Sequence, residues 1–333
     1  MNRVLITGIT GLIGHHLMQR LAQDSEYRIT GQYHSARDLS DYERMGITMR
    51  QADLCKQISL NDLCQGCDTV VHSAARVIDH GSRELFYQTH VEATRWLLED
   101  AARHGVSHFI YISSFGPATY LNRKHGLPDE TIPLRKSGIH YDDAKIEAEK
   151  LVRHFCRQNA MDFTIVRPAA VIGPDSVWVN EPLRRARSRA GLTLISHGRL
   201  DACLLSADNL ADGLQRILEK PVARNQTYFF YDEYGVSWQQ YFSDLLALEG
   251  LAPAGSLPRP IALLLAQLCE SLFPLFGRKP PISVKGVIAT SSERRVDVSK
   301  AREELGWQSA VSYAETMAKI ATSLKRQAQK NRP

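Results

Sequence analysis

Short apolar, β-branched runs alternate along this chain with stretches in which apolar residues return every three or four positions. Val4–Thr7, Tyr27–Tyr33, Thr48–Gln51, Thr69–Ser73, Phe109–Ser113 and Phe163–Arg167 predict strands. Leu12–Gln23, Arg83–His104 and Tyr141–Gln158 carry the helical period between them. Strand–helix alternation of this kind predicts an α/β fold, a doubly wound parallel sheet with helices on both faces. Residues 115–138, rich in Gly, Pro, Asn and charge, break the alternation and read as a long loop. After Pro168 the alternation weakens. Pro and Gly punctuate 251–260 and 277–281 among several helical stretches. The division expected is an α/β unit over 1–173 and a smaller, mostly helical unit over 174–333. A strand or two of the second unit would return to the main sheet. The basic end, 325–333, reads as frayed.

Composition narrows this picture modestly. The 333 residues suit about two domains, and 44% hydrophobic residues suit an ordinary folded core. A net charge of +5, from 41 basic and 36 acidic side chains, is too mild to imply nucleic acid. A first strand starting at residue 3 leaves no room for a secretory leader. No stretch of about 18 apolar residues is evident, so no transmembrane span is expected. The six cysteines read as reduced thiols of a cytoplasmic protein. Cys64 and Cys67 form a CxxC with no second pair at zinc spacing. They read as a helix end, a turn at Gly66 and a small apolar residue before the next strand.

Candidate chemistry begins in "VLITGITGLIGHHL", where a strand hands over to a helix through Gly8, Gly11 and Gly14. Such a turn has three physical uses. One glycine permits the tight turn, one lets backbone approach a pyrophosphate, and one lets helix and strand pack closely. The helix N-terminus then offers free N–H groups and the positive end of its dipole. A purely structural turn would carry the same glycines. Asp53, after the third strand, can accept from an adenine amino group or simply close a turn. "HSAA", 72–75, ends the fourth strand with Ser73, Ala74 and Ala75, small enough for a cofactor to approach. "YISS" ends the fifth strand with Ser113 and Ser114. "YDDAK" puts Tyr141 and Lys145 at i and i+4, on one face of the helix they open.

The segments TGITGLIG (7–14), ADL (52–54), HSAA (72–75), YISS (111–114), YDDAK (141–145) and RPAAVIGP (167–174) resemble an extended short-chain dehydrogenase/reductase. ADNLADGL (207–214), KPPIS (279–283) and VDVSKAREELGW (296–307) resemble its 3β-hydroxysteroid dehydrogenase-like branch. The resemblance implies a Rossmann-type fold and a nicotinamide cofactor. It implies a cofactor site at Gly8, Thr10, Gly11, Leu12, Ile13, Gly14, Asp53, Leu54, Ser73, Ala74, Ala75, Lys145, Pro168 and Val171. It makes Ser114 the partner of the substrate oxygen, Tyr141 the proton donor or acceptor, and Lys145 the holder of the nicotinamide ribose. A free Tyr has a pKa of about 10. A nearby Lys145 ammonium and an oxidised nicotinamide would pull that value toward working pH. The family's habit is a homodimer through the helices at 83–104 and 141–158.

Four departures sharpen the expectation. An acidic residue normally ends the second strand and holds the ribose 2′-hydroxyl of NAD. Here His34, Ser35 and Arg37 stand there, which suits the 2′-phosphate of NADP(H) unless Arg37 points to solvent. His90 replaces the family's asparagine, either as a hydrogen-bond donor to the strand ends or as a satisfied core histidine. Ala144 replaces a common serine. Ala202 and Cys203 stand where nucleotide-sugar enzymes carry an Arg-Asp pair, which weakens that reading. The apolar run "IALLLAQLCESLFPLF", 261–276, reads as a core helix, a pocket wall or a membrane contact. Arg184, Arg185, Arg187 and Arg189 read as a solvated face, or as a dock for an anionic or carrier-bound handle. The function expected is NADP-dependent interconversion of a secondary alcohol and a ketone on an apolar, steroid-, polyketide- or β-keto-acyl-like substrate. The alternatives are an epimerase or dehydratase of a sugar nucleotide with internal hydride return, and a non-catalytic NADP-binding sensor. The Tyr–Lys pair argues against the sensor.

Overall fold

A computed structural model describes residues 1–35, 38–77, 81–119 and 126–330. The strands are β1 (Asn2–Thr7), β2 (Tyr27–Tyr33), β3 (Thr48–Gln51), β4 (Thr69–His72), β5 (His108–Ile112) and β6 (Asp162–Pro168). Five more follow in the second half: β7 (Ala170–Ile172), β8 (Thr193–Ile195), β9 (Leu204–Ser206), β10 (Gln226–Phe230) and β11 (Gly255–Leu257). The helices of the first half are α1 (Leu12–Leu21), α2 (Ser40–Arg44), α3 (Arg83–Tyr87), α4 (Ala93–Arg103), α5 (Gly116–Thr119) and α6 (His140–Gln158). Those of the second half are α7 (Val177–Ala186), α8 (Ala207–Glu219), α9 (Trp238–Ala247), α10 (Arg259–Leu272), α11 (Val284–Ser291), α12 (Ser299–Leu305) and α13 (Tyr313–Lys330).

Seven of these strands form one parallel sheet in the order β10-β6-β5-β4-β1-β2-β3. The order reverses between β1 and β4, which opens a crevice at their carboxyl ends. Side chains alternate across the sheet, as a strand dictates. Val4 and Ile6 face a layer with α1 and α8, whereas Leu5 faces α4 and α6. Both layers are dry, and the sheet is buried on both faces as parallel sheets require.

The fold matches the expected class, with local differences. The helical stretch predicted at 83–104 contains a π-helical turn, Gln88–Glu92, between α3 and α4. The segment 115–138 is not all loop, because α5 lies at its start. The second half holds more strands than expected. Apart from β10 they are three-residue pieces in two small parallel pairs, β7 with β9 and β8 with β11, too short to leave a period in the sequence. β10 does return to the main sheet, beside β6. A third core, around Trp238, Tyr241, Leu245 and Ile320, holds the second unit together.

The expectation that no segment is apolar enough for a membrane needs correction. Arg259–Phe276 has a mean hydropathy of 1.3 over 18 residues, by length and composition enough to cross a bilayer, and only 11% of it is buried.

Candidate active site

Each glycine of the first turn has a separate steric reason. Gly8 has a φ of +64°, and a Cβ there would lie 2.9 Å from the Cα of Ala74. A Cβ on Gly14 would lie 2.5 Å from the carbonyl oxygen of Gly8 and 2.8 Å from the Cα of Ile9. Helix α1 therefore packs onto its own turn only because residue 14 lacks a side chain. Gly11 is exposed, extended at φ −87° and ψ 172°, and caps α1 without any side-chain hydrogen bond. The first-turn N–H groups of Leu12, Ile13 and Gly14 follow it directly. Thr10, Leu12 and Ile13 are half-buried around them. These free N–H groups at a helix N-terminus make a cradle of the polarity that suits a dinucleotide pyrophosphate.

The strand ends beside this cradle are tied together by residues the sequence reading passed over. Buried Gln32 accepts from the Gly8 N–H at 2.9 Å and donates to the Ala52 carbonyl at 2.6 Å. Thr7 and His72 form a chain. Thr94 Oγ1 donates to the His90 carbonyl at 2.6 Å, so it accepts from His72 Nε2 at 3.1 Å. His72 Nδ1 then accepts from Thr7 Oγ1 at 2.8 Å, while Thr7 Oγ1 accepts from the Ala74 N–H. Burial lowers the His72 pKa to about 3, so the ring is neutral and this single tautomer is fixed. Ser73 donates to the Thr7 carbonyl at 2.7 Å, leaving Ala74 and Ala75 as the bare lip of the crevice.

At the far end, His34 and Ser35 are exposed and hydrogen-bonded to each other at 2.9 Å. Asp53 Oδ1 accepts from the Cys55 N–H, the turn role, and also lies 3.7 Å from His34 Nε2. Lys56 lies 3.6 Å from the other oxygen of Asp53. Leu54 packs half-buried against the core. The ends of β2 and β3 thus form one polar patch carrying two basic groups around one acid. Arg37 lies outside the described residues.

The reaction centre sits where β5 and α6 meet. Tyr141 and Lys145 are both buried, in the first turns of α6. Lys145 Nζ donates to the Ile112 carbonyl at 2.8 Å and lies 4.8 Å from the Tyr111 ring centre and 6.0 Å from that of Tyr141. Burial lowers its pKa to about 7, against the pull of Glu149 and with the help of Lys285. Burial also pushes the Tyr141 phenol above its usual range. The cause is desolvation of the phenolate, to which the Asp142 carboxylate adds, and it opposes the pull toward working pH expected from Lys145 and an oxidised nicotinamide.

Ser113 and Ser114 separate cleanly. Ser113 is buried and donates to Glu149 Oε1 at 2.6 Å. Ser114 is half-buried, and its Oγ accepts from the Gly116 N–H at 3.1 Å. The Ser114 hydroxyl proton is thereby left to point elsewhere. A Cβ on Gly116 would meet Asp142 Oδ1, Arg294 Nη2 and Ser114 Oγ at 2.8, 3.2 and 3.3 Å, so these groups converge on one small space. Pro168 and Val171 lie buried beyond them, and the Pro168 carbonyl accepts from the Phe115 N–H.

His90 is buried edge-on against the Tyr141 ring, with centres 5.3 Å apart. Its Nε2 has no hydrogen-bond partner among the described residues. The ring does hydrogen-bond the Arg76 backbone just beyond β4, so it is half satisfied and reaches the strand ends, as the first alternative held. The ring is kept neutral mainly by burial and by nearby Lys145.

Three groups of the centre escaped the sequence reading. Glu149 accepts from Arg167 Nε at 3.0 Å and Nη2 at 2.7 Å as well as from Ser113. The helical spacing of 141, 145 and 149 was a signal that could have found it. Lys285, from α11, lies 3.5 Å from the Tyr141 ring centre on its face. Arg294 stacks 4.4 Å over Phe115. Neither basic residue has a local motif. The arginine cluster, in contrast, shows the solvated reading. Arg184 and Arg185 pair with Glu181, and Arg187 with Glu249, so three of the four charges are already met on the surface.

Known proteins place this geometry in context. The family model for NAD dependent epimerase/dehydratase proteins matches residues 4–229. A UDP-glucose 4-epimerase of Vibrio cholerae is 28% identical over 92% of this chain and 90% of its own. A 2-alkyl-3-oxoalkanoate reductase of Shewanella oneidensis is 24% identical over 97% and 86%. A decarboxylating sterol-4-alpha-carboxylate 3-dehydrogenase of Dictyostelium discoideum is 24% identical over 96% and 100%. The structure of a UDP-glucuronic acid 4-epimerase from Bacillus cereus superposes with a TM-score of 0.75 at 19% identity, over 98% and 99% of the two chains. With its glycine turn, its Tyr–Lys pair and a family match over two thirds of its length, this chain belongs to the NAD(P)-dependent epimerase/dehydratase family, the extended short-chain dehydrogenases/reductases.

Proposed function

We propose that the protein is an NADP(H)-dependent oxidoreductase that reduces a ketone to a secondary alcohol on a largely apolar substrate. The observation that carries this reading is the buried Tyr141 held between Lys145 and Lys285 at the carboxyl edge of the sheet, beside the uncapped glycine turn. The nicotinamide, when bound, supplies the hydride. The chain's own residues supply the proton and hold the oxygen. A phenol pushed up by burial stays protonated at neutral pH, the form that donates to a developing alkoxide. The phenolate left behind would be stabilised by the two lysines. Ser114, whose oxygen already accepts from Gly116, has its proton free to donate to the substrate oxygen. Lys145 would hold the ribose, and its bond to the Ile112 carbonyl fixes its position.

NADP(H) is favoured by the absence of an acid where β2 ends, at Tyr33-His34-Ser35, and by Lys56 beside Asp53. An apolar substrate is favoured by buried Ala202 and Cys203, where a diphosphate would need charge, and by the oxoalkanoate and sterol chemistry in two relatives' names. We also read it as a cytoplasmic homodimer; the dimer through α4 and α6 is supported by Trp96 and Phe155, which pack on the second core yet stay half-exposed beside one surface pocket. A second reading, sugar-nucleotide epimerisation with internal hydride return, is supported by the Vibrio cholerae relative.

The test is absorbance at the reduced-nicotinamide band with NADPH, then NADH, against apolar ketones, β-keto thioesters and nucleotide sugars. Reductase activity should appear with NADPH and a ketone. Tyr141→Phe should abolish it and leave cofactor binding intact, because only the donated proton is removed. Turnover of a nucleotide sugar with tightly held cofactor and no net oxidation would establish the second reading instead.

A further inference from the structure

The helix α10 is built the wrong way round for a helix of a fully soluble surface. Its inner face is small: Ala262 and Ala266 are buried against Ile195 and Val287. Its outer face is large and apolar. Ile261, Leu264, Leu265, Leu268 and Leu272 fall at i, i+3, i+4, i+7 and i+11, a single stripe, and each is 40–58% exposed. Leu275 and Phe276, in the 3₁₀ turn Phe273–Phe276 that follows, are each 76% exposed. Isolated exposed apolar side chains need no explanation, but five on one helix face, continued by two more in the next turn, do.

The charges around the stripe say what covers it. Across Arg259–Lys279 the exposed ionic side chains are Arg259 at one end and Arg278 and Lys279 at the other. The one acid in that interval, Glu270, is turned inward and accepts from the Val284 N–H at 3.0 Å. An apolar stripe flanked only by cations suits an anionic lipid surface, where leucines enter the acyl boundary and the basic ends meet headgroups. The whole run Arg259–Phe276 meets the length and composition of a span, but its regular α-helical part falls short, and a 3₁₀ turn with Pro274 ends it. The 14 residues of α10 rise about 21 Å, against about 30 Å of hydrocarbon.

We propose that α10 and the turn after it dock the protein flat on an anionic membrane surface. The docking helix is packed on the active site's own wall. The Glu270 bond ties α10 to the start of α11, whose Lys285 covers Tyr141. Docking therefore places the reaction centre within one helix layer of the lipid. If the reading above holds, an apolar ketone would reach it from the bilayer; the docking itself does not depend on that reading.

The test is co-sedimentation of the full chain with phosphatidylcholine vesicles, with and without phosphatidylglycerol. The protein should pellet with the anionic vesicles, more weakly with neutral ones, and be released by salt. Leu264→Glu with Leu268→Glu should weaken binding about a hundredfold or more. Both positions are exposed, so the unfolding midpoint and turnover of a water-soluble ketone should be unchanged. Failure to pellet with anionic vesicles, or pelleting indifferent to the double substitution, overturns the proposal. So does light scattering in which the double variant loses a subunit, since a second copy would then be what covers the stripe. A protein that docks but turns over no ketone would refute the reductase reading alone.

Discussion

The lysine at the centre of the site predicts an unusual dependence of stability on pH. Lys145 has a pKa of about 7 in the folded chain and about 10.4 when unfolded. Between those values the unfolded chain binds more protons than the folded one, so stability must rise with pH. Among the other shifted groups, His72, buried neutral with a pKa of about 3, and His108, at about 4, cost stability only below their ordinary value. The cysteines raised by burial, Cys55, Cys64, Cys67, Cys156 and Cys203, have an ordinary value of about 8.5, so they cost stability from about pH 8 upward and oppose the lysine. The lysine's share is therefore read as a difference between wild type and a variant without it. One pKa unit is worth about 1.4 kcal/mol, and Lys145 is half-charged at pH 7, so the gain from pH 7 to 9 is about 2 kcal/mol. Urea unfolding of the cofactor-free protein at pH 7, 8 and 9, under reducing conditions, measures it. The stability of wild type relative to Lys145→Met should rise by about 2 kcal/mol from pH 7 to 9, because the cysteine contribution is common to both and cancels. A difference between the two proteins that stays constant over that range would refute the assignment of a buried, half-neutral lysine.

Other substitutions probe the surrounding structure. Gly14→Ala drives a Cβ into the backbone of Gly8 and Ile9; it should cost about 1–3 kcal/mol and raise the dissociation constant for NADPH, read by melting and by titration. Glu149→Leu strands the buried Arg167 guanidinium and should cost about 3–5 kcal/mol in urea, whereas a change under 1 kcal/mol would mean that the arginine finds another partner. Lys285→Met removes the cation from the face of Tyr141 and should lower kcat/KM about tenfold, with Lys285→Arg recovering most of it. Because Lys285 also lowers the Lys145 pKa, and Lys145 acts as a cation, the alkaline limb of the pH–rate profile should move to higher pH in Lys285→Met.

Much of the nucleotide half was legible in the sequence because its signals are local. β2 and β3 fall where the apolar runs place them, and α1 and α6 differ from their expected bounds by a residue or two at their ends. The glycines and the Tyr–Lys pair are likewise set by spacing along one element. What escaped depends on distance in sequence. Lys285 and Arg294 reach the site from more than a hundred residues away, carried on elements with no motif of their own. The tautomer chain through His72 needs two strands and a helix before it exists at all. The rise in the Tyr141 phenol was not legible because charge can be seen in a sequence and burial cannot.

The position of β10 also constrains the order of events during synthesis. The sheet that carries the cofactor cradle lacks its last strand until residues 226–230 have been made, and the indole of Trp307 closes against Phe230 later still, its Nε1 donating to the Asn209 carbonyl. A nascent chain stopped at residue 173 would present the bare edge of β6 and the apolar face that α8 covers on α1, both adhesive surfaces. Each half thus buries surface that the other leaves open, and shortened versions should keep the C-terminal segment through α13, whose Ile320 completes the third core.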